Sequence, residues 1–251
     1  MSTFDIISFT SADKLAEVAA RQWLSEIASA NVRTDPFCVA LSGGRIAREF
    51  FSAAAGLGKG KPSAFTAVHF FWSDERCVPP EDPESNFALA QEFLLGPLSI
   101  PEDQIHRIRG EEPPKAAADE AQSEVMRIVP TRSKGQPVLD LVFLGMGEDG
   151  HVASLFPEEP EELMRNEAVY RPVLASKPPP HRITMDYPAI AAARQVWVLA
   201  SGAGKEQVLR GALGPGGKTP LTRVLKMRSH TKIFTDIPLE IPPQGFSQSK
   251  K

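Results

Sequence analysis

Four short segments bring together residue types that handle protons and anions. One of them, Gly145-Met146-Gly147-Glu148-Asp149-Gly150-His151, sets a carboxylate two residues before an imidazole with a glycine between them. A neutral imidazole can take a proton from water near neutral pH, and a neighbouring carboxylate selects its tautomer and stabilises the charged form. His151 is therefore the candidate general base, with Asp149 beside it. The segment also spells G-x-G-x-x-G, a dinucleotide-binding signature. That reading is rejected, because Glu148 and Asp149 would face the pyrophosphate and Pro157 follows too closely for a phosphate-binding helix to form. His69, His106, His181 and His230 have no such company, and the lack of H-x-H or H-E-x-x-H spacing argues against zinc.

The other three segments carry donors for an anion. Ser42-Gly43-Gly44-Arg45 joins an apolar run to a helical pattern. Its glycines allow close backbone approach, and the helix start offers N–H groups and the positive end of a dipole. Ser73-Asp74-Glu75-Arg76 follows the run at 68–72, and Asp74 and Arg76 could orient a substrate. Arg182 and the lysine of Gly202-Ala203-Gly204-Lys205 are two further cations near strand ends. Taken singly, a Ser-Gly-Gly turn is often only a tight connection, and an isolated cation is usually surface charge. The glycine turn, the Ser73–Arg76 segment and Lys205 gain weight because each follows a strand, whereas Arg182 opens one.

Those strands are read from apolar periodicity. Residues 4–9 form a strand, and Ser11 then caps a helix whose Leu15, Val18, Ala19, Trp23 and Ile27 share a face. The run at 37–41 leads into a helix over 46–55 and a strand at 68–72. A polar, proline-rich loop spans 73–85, followed by a helix at 86–95, a weak strand at 105–108 and a helix at 116–129. Residues 139–144 (LDLVFL) are the strongest strand signal, as expected of a central parallel strand covered on both faces. Further strands are expected at 169–174, 182–185, 195–200 and 232–235, and helices at 188–193, 206–213 and 221–227. Pro178-Pro179-Pro180 imposes an extended loop before Arg182. The expected fold is α/β: a three-layer, mostly parallel, Rossmann-like sheet with helices on both faces, formed by residues 1–241 as one domain, with 242–251 a frayed tail. In such sheets ligands bind beyond the carboxyl ends of the strands.

Composition narrows the partners. Of 251 residues, 42% are hydrophobic and 24% charged, which suits a globular core and excludes disorder as the main state. Lys plus Arg number 28 against 31 Asp plus Glu, a net charge of −3 with no basic run, so no nucleic-acid footprint is present. No apolar stretch is long enough to span a bilayer, and the amino end lacks a signal-peptide pattern, so a cytoplasmic protein with no membrane partner is expected. Cys38 and Cys77 form neither a disulfide framework nor a metal-ligand set.

In order and separation, LSGGR at 41–45, FWSDERCVP with SNF at 71–87, DLVFLGMGEDGHVASLFP at 140–157, PPPHRIT at 178–184 and GAGK at 202–205 resemble the 6-phosphogluconolactonase family. That family lies within a wider group containing glucosamine-6-phosphate deaminase. The resemblance implies cofactor-free hydrolysis of 6-phospho-D-glucono-1,5-lactone to 6-phosphogluconate in the oxidative pentose phosphate pathway. It implies a sugar-phosphate lactone as the small-molecule partner, and a monomer or small homo-oligomer is expected. Carried over, His151 activates water, Asp149 supports the catalytic loop, and Asp74 and Arg76 line the substrate. Ser42, Gly43, Gly44, Arg45, Arg182 and Lys205 surround the phosphate. One departure is that Ile46-Ala47 follows Arg45 where the family commonly has Thr-Pro, which removes one hydroxyl donor.

Two alternatives remain at this level. A deaminase or isomerase would follow Asp149-Gly150-His151 with an asparagine and a glutamate, where this chain has Leu155-Phe156. A non-catalytic sugar-phosphate sensor would need the cations but not the base.

Overall fold

The computed structural model describes residues 3–30, 33–60, 62–160 and 167–239. Its main element is a six-stranded, wholly parallel sheet built from β1 (Thr3–Ser8), β2 (Phe37–Leu41), β3 (Val68–Trp72), β7 (Leu141–Gly145), β10 (Gln195–Ala200) and β11 (His230–Thr235). Their spatial order is β1-β11-β10-β7-β2-β3. The chain winds outward from β2 to β3 in one direction and from β7 through β10 and β11 in the other, so strand order reverses between β2 and β7. That reversal opens a crevice at the carboxyl ends of those two strands. The crevice is where the glycine-bearing segments after Leu41 and after Leu144 converge.

β7 is central because its side chains demand cover on both sides. Successive strand residues face opposite ways, yet Leu141, Val142, Phe143 and Leu144 are all buried. On one face, helices α1 (Ala12–Ala30) and α2 (Arg45–Gly58) contribute Trp23 and Phe50, whose rings meet Phe143 at 5.7 and 4.6 Å between centroids. The backbone N–H of Lys14 donates to Ser11 Oγ at 3.3 Å, as expected of a helix cap. Val18 does not join the buried stripe of α1; at 37% exposure it lies on the rim, while Ala16 and Ala20 take the core positions.

The remaining elements are α3 (Asn86–Ala90), α4 (Pro114–Ile128), a two-residue hairpin of β5 (Arg132–Ser133) and β6 (Gln136–Pro137), α5 (Tyr187–Ala192), α6 (Glu206–Leu213) and α7 (Pro220–Met227). No helix among the described residues is long and apolar enough to cross a membrane.

Four further expectations are corrected. The polar loop after β3 contains a short strand, β4 (Asp74–Arg76), which pairs with β9 (His181–Met185) in a separate antiparallel sheet completed by β8 (Tyr170–Leu174). The strands expected at 169–174 and 182–185 form as Tyr170–Leu174 and His181–Met185, but outside the parallel sheet. The segment at 105–108 makes only an isolated bridge, Phe70 with Ile105. The helix expected over 86–95 is α-helical only to Ala90 and continues as a π-turn over Gln91–Leu95. The expected tail at 242–251 lies outside the described residues.

Candidate active site

Each strand end of the crevice delivers one part of the site. After β2, Gly44 adopts φ 97°, a conformation that favours glycine, and no side chain caps the start of α2. The first-turn N–H groups of this 14-residue helix are therefore free of a side-chain cap, and with the helix dipole they make a suitable anion-binding end. Gly43 is required for a different reason, since a Cβ there would lie 1.8 Å from Asn86 Oδ1. Ser42 Oγ accepts the Gly145 N–H at 3.3 Å, tying the ends of β2 and β7 together while leaving its own proton to donate.

After β10, the turn at 201–205 brings Lys205 toward Arg45. Burial lowers the Lys205 ammonium from its ordinary range, and the positive charge of Arg45 lowers it further, against the opposing pull of Glu148 and Asp236. Two cations held together this way favour an anion between them. Asp236 fixes the turn by accepting from Ser201 Oγ at 2.9 Å and from Gly202 N–H at 3.1 Å.

The small sheet supplies a second cationic pair, because the β4–β9 register sets Arg76 directly opposite Arg182. Arg182 is 6% exposed and donates to the carbonyls of Pro179 at 3.0 Å and Lys177 at 3.4 Å, so the triproline loop serves as its mount. Burial lowers its guanidinium, with the charge of Arg76 adding to the effect. Arg76 is held by the carbonyl and carboxylate of Glu84.

The segment after β7 folds back on itself. Gly150 adopts φ 83°, its N–H donates to Gly147 O at 3.0 Å, and the Gly147 N–H donates to His151 O at 2.9 Å. A Cβ at Gly147 would sit 2.1 Å from the His151 ring, so the imidazole rests on bare backbone. Residues 151–157 form turns rather than a helix, consistent with rejecting a dinucleotide-binding role. His151 Nδ1 and Asp149 Oδ1 are 2.5 Å apart, and the same oxygen accepts the His151 backbone N–H at 3.2 Å. Burial acts to raise the Asp149 carboxyl, but His151 and Lys177 outweigh it and hold it below the usual range. With Nδ1 given to Asp149, the imidazole is oriented with Nε2 as its remaining nitrogen.

Nine of the ten residues expected at the site line one cavity of about 340 Å³: Ser42, Gly43, Gly44, Arg45, Asp74, Arg76, His151, Arg182 and Lys205. Asp149 is the exception and touches His151 from outside the cavity lining. Asp74, 4% exposed, is held by Ser154 Oγ at 2.7 Å on one carboxylate oxygen and by Asn86 Nδ2 at 3.3 Å on the other. Asn86 and Ser154 carry no local signal of a role at the site, although both lie in segments that carry the resemblance. Only the folded chain brings Asn86 against Gly43.

The arrangement can hold a phosphorylated molecule at its cationic end and remove a proton at its imidazole. The family described as glucosamine-6-phosphate isomerases/6-phosphogluconolactonase matches residues 10–234. A 6-phosphogluconolactonase of Streptomyces coelicolor is 35% identical over 210 residues, covering 81% of this chain and 80% of its own. The human 6-phosphogluconolactonase is 36% identical over 222 residues, covering 86% and 82%. The solved structure of 6-phosphogluconolactonase from Trypanosoma brucei superposes with a TM-score of 0.81 at 28% identity, covering 94% of this chain and 97% of that one. On the breadth of this match, the chain belongs to the glucosamine-6-phosphate isomerase/6-phosphogluconolactonase family.

Proposed function

We propose that this protein hydrolyses 6-phospho-D-glucono-1,5-lactone to 6-phospho-D-gluconate, the lactone-opening step of the oxidative pentose phosphate pathway. The observation that carries the reading is the His151–Asp149 pair, 2.5 Å apart, with its imidazole on the wall of the cavity that Arg45, Lys205, Arg76 and Arg182 also line. The cations and the α2 N-terminus bind the phosphate, and that anchoring sets the lactone carbonyl beside His151. His151 Nε2 takes a proton from water as the water oxygen bonds to the carbonyl carbon. Asp149 stabilises the imidazolium that forms. The oxyanion is met by Arg76 or by backbone N–H groups of the glycine turns. Collapse breaks the ring C–O bond, and the proton passes from His151 to the leaving oxygen, giving a carboxylic acid that ionises and a free hydroxyl. The reaction is redox-neutral and calls on no cofactor or covalent nucleophile.

Leu155 and Phe156 favour the lactonase over the deaminase branch. Leu155 is fully buried, and the Phe156 ring lies 4.8 Å from the His151 ring and 5.5 Å from the Arg182 guanidinium, so neither position offers an acid for sugar-ring opening. The reading takes residues 1–241 as one catalytic domain, in the cytoplasm, as a monomer or small homo-oligomer.

The test generates the lactone in situ and follows its disappearance against the spontaneous rate. Wild-type protein accelerates it, and His151→Gln loses about 10²–10⁴-fold, the usual contribution of a positioned base. A folded His151→Gln protein with full activity would remove His151 from the mechanism.

A further inference from the structure

Glu75 stands between two cavity-lining residues, Asp74 and Arg76, but its side chain leaves the strand on the opposite face and is 2% exposed. Four donors surround its carboxylate. Oε1 accepts the N–H groups of Arg76 and Asn86, each at 2.7 Å. Oε2 accepts the N–H of Phe87 at 2.7 Å and the hydroxyl of Ser85 at 3.1 Å. Ser85 is also the N-cap of α3, its oxygen accepting from Ala88 N–H at 3.1 Å, so its single proton is committed to Glu75. Burial pushes this carboxyl up to about 7 despite the downward pull of the three N–H groups. A buried acid held at such a cost, and outside the proposed chemistry, raises the question of what it positions.

Its neighbour in the network is Asn86. The residue whose N–H Glu75 captures uses its side chain to donate to Asp74 O at 2.9 Å and Asp74 Oδ1 at 3.3 Å. Its Oδ1 occupies the space that a Cβ on Gly43 would need. We propose that Glu75 is a positioning residue, whose two carboxyl oxygens clamp the start of α3 to β4 and thereby set Asn86 as a wedge between Asp74 and the Gly43 turn of the anion cradle. The kinetic consequence rests on the lactonase reading, whereas the consequence for anion binding does not.

The test measures binding of inorganic phosphate and of 6-phosphogluconate by calorimetry, together with lactone kinetics. It uses the wild type, Glu75→Gln, Asn86→Ala and the double variant. Glutamine keeps the size of the side chain but turns an NH₂ group toward two donors. Each single variant should weaken phosphate binding and kcat/KM on the order of tenfold, with KM carrying more of the loss than kcat. The double variant should be no weaker than the worse single, because both changes cut one linkage. A Glu75→Gln protein that loses thermal stability but binds phosphate like the wild type overturns the proposal, as do additive losses in the double variant. Should Glu75→Gln fail to fold, Asn86→Ala decides, since it leaves all four donors to Glu75 in place. Wild-type affinity in that variant refutes the wedge, and weakened affinity supports it. Wild-type protein that binds phosphate but leaves the lactone untouched refutes the lactonase reading alone, and the phosphate measurements still judge the wedge.

Discussion

Replacing Asp149 by asparagine isolates the charge behind the proposed base. Oδ1 of Asp149 accepts both the His151 backbone N–H and Nδ1–H, so an asparagine oxygen has two donors to keep it in the same place. The amide nitrogen then takes the position of Oδ2, 3.4 Å from Lys177 Nζ. The ring orientation and tautomer survive, and what is lost is the negative charge facing the imidazolium. Opposite charges with centres about 4 Å apart interact by about 4 kcal/mol at an effective dielectric near 20. Both side chains are partly exposed, at 22% for His151 and 27% for Asp149, so solvent screening reduces the effect. A loss of about 2–3 kcal/mol of transition-state stabilisation corresponds to a fall of about 30- to 160-fold in kcat. KM should change little, since the proposed phosphate contacts lie away from Asp149. The assay is the in situ lactone assay with the spontaneous rate subtracted, on protein whose folding is checked by circular dichroism. A fall of less than about threefold would mean that no imidazolium develops beside Asp149. A loss well beyond about 160-fold that matches His151→Gln would mean that the two residues act as one unit, and the charge argument would then be wrong.

Two other expectations follow from the same geometry. Lys205→Met keeps the apolar stem and removes the charge, and should raise KM for the lactone about 10- to 100-fold with kcat nearly unchanged. A fall in kcat alone would instead assign Lys205 to the chemical step. The Glu75 carboxyl gives a stability signature. Its folded value of about 7 lies above the ordinary 4.5, so the native state binds more protons than the unfolded chain between these values. Stability from this group is therefore fully present below pH 4.5 and is lost as pH rises through 7, by on the order of 3 kcal/mol. Urea unfolding of wild type and Glu75→Gln from pH 4.5 to 8 should show their stability difference changing over that window. Parallel curves would contradict it.

The alternation of strands and helices was legible because its causes are local. A continuous apolar run such as LVFL must be covered on both faces, and β7 indeed lies inside the sheet with β2 and β10 as neighbours. Ser11 marks the start of α1 by its hydroxyl, and glycines mark turns where a side chain would be strained or would clash. The candidate residues were legible for the same reason, each belonging to a short segment at a strand end. β4 was not legible, because Asp-Glu-Arg has no apolar pattern and becomes a strand only through β9, which lies about a hundred residues later.

The sequence by itself determined the parallel α/β core, the strand-end segments and the residue types available for anion binding and proton transfer. These follow from side-chain hydrophobicity and from the backbone freedom of particular glycines. Only the tertiary structure decided which of those residues share a cavity. It brought Ser154 to Asp74 across 80 positions, set Arg76 opposite Arg182, and packed Asn86 onto Gly43. The reason is physical. Such contacts arise from the pairing of distant strands and the reversal of strand order between β2 and β7, and no local pattern encodes either.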